Sequence, residues 1–158
     1  MRQFIKFLHT LGAIGMMGAM ACLLVLLAFL PPPSQLAETA AMRGAMGAIA
    51  SWIFLPSLAL TLVAGLLAMA ASRGYQNAGW AWVKLATGVL VFEGGFAGVV
   101  GPMQDEAARS AQALAGAADA AAQAAPGAET NTIVVLMAIA LVNVMLGVWR
   151  PRLMRRGE

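Results

Sequence analysis

Three ionisable side chains stand inside apolar stretches of this 158-residue chain: His9, Lys84 and Glu93. Such groups are costly wherever the stretch crosses a bilayer, and they mark candidate functional sites. His9 is followed by Met16 and Met20, both of which fall on its helix face. A neutral imidazole is a common ligand for haem and metals, and a thioether is an axial haem ligand or a soft ligand for Cu(I). His9 and Lys84 are therefore candidate cofactor contacts, and His9 with Met16 is a weaker candidate metal pair. The plainer reading of Met16 and Met20 is flexible core filler, and that of Lys84 is snorkelling to the membrane interface. Glu93 is too short to snorkel, so its carboxyl is either protonated or paired inside the bundle, where Ser57 lies at a matching depth. Asn143 can hydrogen-bond between helices. Glu93, Asn143 and Ser57 are thus candidate proton or polar-relay residues, and no residue is assigned a catalytic role. Cys22 reads as a small buried hydrophobe.

These residues need helices long enough to carry them across a bilayer. A spanning helix takes roughly 20 mostly apolar residues. Four stretches qualify, at about 4–30, 45–71, 79–101 and 132–150. Pro31, Pro32 and Pro33 close the first, because proline lacks the backbone donor and disfavours helix in the residue before it. The first stretch is longer than the roughly 7–15-residue core of a signal peptide, so it reads as a retained span. At 1.5 Å rise per residue, His9 and Lys84 lie roughly 6–8 Å below the same surface and can meet across the bundle. Gly12, Gly15 and Gly18, then Gly44 and Gly47, provide small faces for close helix packing.

Of the chain, 61% is hydrophobic and 11% charged, with a mean hydropathy of +0.79. A soluble domain carries about 25% charge, so the chain reads as one integral membrane domain over residues 1–158. A single Cys and a single His exclude a zinc module and a disulfide scaffold within one copy. The net charge of +3 reads as a topology signal rather than a nucleic-acid footprint. With the N-terminus in the cytoplasm, Arg2, Lys6, Arg73, Lys84, Arg150, Arg152, Arg155 and Arg156 fall inside, and only Arg43 and Arg109 fall outside. That bias predicts four helices with both termini cytoplasmic in a bacterial inner membrane. Trp80, Trp82 and Trp149 then mark the inner aromatic belt.

Residues 103–125 are alanine-rich and bounded by Pro102 and by Pro126-Gly127, which predicts a separate outer helix between spans 3 and 4. Residues 34–43 form a second, short outer helix in this reading, and Ala41-Met42-Arg43-Gly44 read as loop. The expected fold is all-α, a four-transmembrane-helix bundle with the alanine-rich helix in its outer loop.

The order Lys6-Phe7-Leu8-His9 in the first span, Pro56 and Gly65 in the second, Trp82-Val83-Lys84-Leu85 in the third and Trp149-Arg150-Pro151 at the close resembles a set of small bacterial four-helix membrane proteins. That set includes HemJ-like protoporphyrinogen oxidases, copper-resistance D domains and an uncharacterised family of integral membrane proteins. The resemblance covers the four spans and implies a b-type haem contacted by His9 and Lys84. HemJ-like members carry further histidines that this chain lacks, so its pattern is closer to the uncharacterised branch. Three functions remain open. One is a haem- or metal-associated redox protein built on a His/Lys site, and the second is a non-catalytic membrane subunit or scaffold. The third is a small oligomeric transporter with Glu93 on its path. The expected partners are lipid and either a second copy or a larger membrane complex, with no nucleic acid.

Overall fold

Proline and glycine mark where the helices of this chain end, bend or approach one another. The computed structural model describes residues 2–32, 34–116 and 126–149, and it contains no strand among them. Helix α1 covers Arg2–Ala28 and stops just short of Pro31. Helix α2 (Leu36–Ile49) continues through a π turn (Ala50–Phe54) into α3 (Leu55–Ala70), making one continuous 35-residue rod. A short helix, α4 (Arg73–Gln76), leads to α5 (Gly79–Gly95). Helix α5 continues through a second π turn (Phe96–Val100) into α6 (Gly101–Leu114), a 36-residue rod that ends before Gly116 at φ +92°. Helix α7 covers Pro126–Trp149.

Both π turns have a proline behind them. The ring of a helical proline collides with the carbonyl four residues earlier. For Pro56 that carbonyl belongs to Trp52 and for Pro102 to Gly98, and each lies inside its π turn. The widened turn relieves the collision, so the helix passes the proline without breaking. The two π turns touch one another, so both long helices are widened at one level of the bundle.

Four helices are long and apolar enough to cross a membrane: Gln3–Ala28, Leu36–Ala70, Gly79–Leu114 and Gly127–Trp149. The protein is therefore a multi-pass membrane protein with an all-α, four-helix bundle. Helix α1 lies against α3, α5 against α7, and α2 against α6. A Cβ added at Gly12 would stand 2.5 Å from Thr61 Oγ1 and 2.8 Å from the Ser57 carbonyl, so only glycine lets α1 approach α3 this closely. Gly47 makes room in the same way for Met103 and Ala107 of α6, whereas Gly18 and Gly44 face open space.

The rod of α2 and α3 is about 52 Å long at 1.5 Å per residue, against a hydrocarbon layer of about 30 Å. Exposed Trp82 and Trp149 mark one end of the bundle, and Trp52, 82% exposed, stands about 27 Å up the helix from Ala70. Helices α2 and α6 therefore rise beyond the apolar slab as a packed pair. At the level where they leave it, Gln104 donates a hydrogen bond to Ser51 Oγ at 2.8 Å.

Several boundaries differ from the sequence reading. The second span starts at Leu36 rather than 45, and Ala41-Met42-Arg43-Gly44, expected as loop, is helix because it belongs to this rod. The third span does not stop near 101 with a separate outer helix at 103–125. It runs on through Pro102 to Leu114, and residues 117–125 lie outside the described residues. The first and fourth spans are shifted to Arg2–Ala28 and Pro126–Trp149. Cys22 is exposed on the outer surface of α1 rather than buried, since Met16, Met20, Leu23 and Leu27 occupy the inner face.

Candidate functional site: a cavity at the His9 end

The two ends of the bundle are packed differently. Toward the Arg43 end, Met20, Leu23, Phe54, Met46, Val99, Met103 and Ile133 fill the interior almost completely. Toward the His9 end, the inward positions of α3, α5 and α7 are small: Gly65, Ala68, Ala81, Gly88, Ala140 and Gly147. Side chains of this size cannot fill the space between four helices, and they leave a cavity of about 330 Å³. That volume lies within the range of about 300–1,000 Å³ found for small-molecule sites.

His9 and Lys84 both line this cavity, as their matching depths predict. His9 Nδ1 lies 2.8 Å from the Thr61 carbonyl of α3. A carbonyl only accepts, so Nδ1 carries a proton, and in the neutral ring Nε2 is the nitrogen with the free lone pair. Gly65, one turn beyond Thr61, makes room for the ring: a Cβ there would meet His9 Cε1 at 3.4 Å. On the opposite wall, Lys84 Nζ donates to the Asn143 carbonyl of α7 at 3.4 Å. Gly147 clears the space that the ammonium occupies, since a Cβ there would come within 2.6 Å of Nζ.

Asn143 locks the two helices together. Its Nδ2 donates to the Lys84 carbonyl at 3.2 Å and to Thr87 Oγ1 at 3.0 Å. Its Oδ1 is buried and has no hydrogen-bond partner among the described residues. The expected role of Asn143 between helices is thus realised, and it presents an unused acceptor beside the Lys84 site. Met16 and Met17 form part of the apolar wall, while Met20 packs deeper in the core. Tyr75 and Trp80, in edge-to-face contact at 5.8 Å, lie at the cavity mouth with exposed Lys6.

The other two candidates are elsewhere. Ser57 faces Gly15 of α1, and a Cβ there would overlap Ser57 Oγ. Glu93 lies on the exposed outer face of α5 rather than inside the bundle, so it neither reaches Ser57 nor borders the cavity. Apolar residues surround α5 on all sides, and the sequence pattern left its rotation undetermined.

A buried polar layer beyond the Trp52 level had no counterpart in the sequence reading. Arg43 is fully buried and donates through Nη1 to Glu129 Oε2 at 2.6 Å. Thr39, Arg43, Met46 and Gly47 form the buried face of α2, opposite Met103, Glu106, Ser110 and Ala113 of α6. The spacing of Thr39, Arg43, Met46 and Gly47 follows the helical period and was the available signal.

In largely apolar walls the cavity presents the His9 imidazole with its Nδ1 committed, the Lys84 amine and the Asn143 amide oxygen, with Lys6 at the mouth. This donor set can hold a flat, largely apolar group through a single nitrogen ligand and pair an anionic substituent with Lys84. Among the described residues no three His, Cys, Asp or Glu side chains converge to hold a metal ion. No family model matches the chain, and no curated protein or solved structure is significantly similar to it.

Proposed function

We propose that this multi-pass protein resides in a bacterial inner membrane with both termini in the cytoplasm, and that it holds a b-type haem in the His9 cavity for a redox role. The observation that carries this reading is the hydrogen bond from His9 Nδ1 to the Thr61 carbonyl. Histidines that ligate metals commonly donate their other N–H to a carbonyl, which fixes the tautomer and the ring orientation. His9 Nε2 would hold the haem iron. Lys84, steadied by the Asn143 carbonyl, would neutralise a propionate, and Met16, Met17 and Trp80 would exclude water from the ring faces. The bound haem supplies one-electron chemistry. The arrangement of basic residues about the four spans supports the orientation.

The test is an absorption spectrum of the protein purified in detergent from haem-replete cells. The expected result is a Soret band that His9→Ala abolishes while the protein still inserts, since the substitution removes a polar group from the membrane. A colourless wild-type protein overturns the reading. If that colourless protein also carries a stoichiometric partner, the scaffold reading replaces it.

A further inference from the structure

Glu93 stands 14 residues into the third span, about 21 Å along the helix from Gly79. Its side chain is exposed on the outer face of the bundle, beside exposed Leu90 and Phe96. No hydrogen bond or ion pair joins it to any described residue. Lipid tails offer neither donor nor acceptor, so a carboxyl at this depth is costly unless a partner covers it. This makes the Glu93 face of α5 an interface rather than a lipid-facing surface.

The chemistry of the carboxyl indicates the occupant. A carboxylic acid carries one donor and one acceptor, so two of them satisfy one another. Copies of one membrane protein share an orientation, so a two-fold axis between them runs along the membrane normal. Such an axis brings each residue on it to the depth of its own copy. Lys84, the lysine of the same span, is turned into the cavity and unable to serve a neighbour. What a second copy does offer at this level is the same carboxyl. Exposed Ala86 and Ala97, seven positions before and four after Glu93, flank it with methyl groups that permit close approach of two helices.

We infer that the Glu93 face of α5 is a homodimer interface within the bilayer, closed by two Glu93 carboxyl groups hydrogen-bonded across the two-fold axis. The interface is independent of the haem reading, because Glu93 does not border the cavity.

Cysteine cross-linking in vesicles tests it. In a Cys22→Ala background, single cysteines replace Ala86, Ala97 or, as a control on the outer face of α7, Ala138. Iodine, which partitions into lipid, is the oxidant. The expected result is a product of twice the chain mass for Ala86→Cys and Ala97→Cys, at least tenfold above that for Ala138→Cys. Glu93→Leu should abolish the product, whereas Glu93→Gln, whose amide is also self-complementary, should keep it. Glu93→Leu removes a polar group from lipid, so its loss of cross-linking cannot reflect failed insertion. No product at positions 86 and 97, equal product at 138, unchanged cross-linking in Glu93→Leu, or a product of another mass overturns the inference.

Discussion

Replacing Glu129 with leucine should be among the most damaging single changes in this protein, although it adds an apolar side chain to a membrane protein. Arg43 and Glu129 side chains are 1% and 6% exposed, and their 2.6 Å contact is the one described acceptor the guanidinium has. Arg43 Nε and Nη2 already lack hydrogen-bond partners among the described residues. Removing the carboxylate strands a buried cation, and breaking a buried pair in this way costs about 3–5 kcal/mol. Glu129 also lies in the first turn of α7, where its charge favours the helix dipole by about 0.3–1 kcal/mol, too little to account for the effect. The double replacement Arg43→Met with Glu129→Leu removes both desolvation costs and should be about neutral. Reversible denaturant unfolding in mixed micelles reads all four corners of the cycle. A loss below about 1 kcal/mol in Glu129→Leu, or a double variant no better than the single one, would refute the claim that the pair is dry and mutually dependent.

The helix contacts make two further predictions. Gly12→Ala should cost about 1–3 kcal/mol in the same assay, because the new methyl meets the Ser57 carbonyl and the Thr61 amide, which are backbone and cannot swing away. Gly18→Ala, with nothing within 4 Å of the new methyl, should be neutral or mildly stabilising, and equal losses at the two positions would sink the packing account. Asn143→Ala should cost about 0.6 kcal/mol, the average for a polar contact between membrane helices, and should loosen α5 from α7. Amide exchange at Lys84 and Gly88 is the readout, and unchanged protection there would count against the clasp.

The features that composition and length control were legible in the sequence. Four apolar stretches gave four spans, and a fixed rise per residue placed His9 and Lys84 at one level, where they share a cavity. Features that depend on rotation or on distant partners were not. Pro102 reads as a stop because a proline normally ends a helix, yet the π turn before it lets the rod continue. Arg43 reads as a loop charge because its counter-charge lies 86 residues away. Glu93 and Cys22 sit on helices that are apolar all round, so no polar face fixes which side looks inward. The hollow was foreshadowed by Gly65, Gly88 and Gly147, but small residues by themselves do not distinguish a tight crossing from a void.

The unequal filling of the two ends makes the molecule a blind cup. A solute entering past Tyr75 and Trp80 descends as far as Met16, Leu58 and Val91, and there the floor of Met20, Phe54 and Val99 stops it. Among the described residues the cup is closed toward the Arg43 end, so passage of a solute in that direction requires a change of packing in this floor.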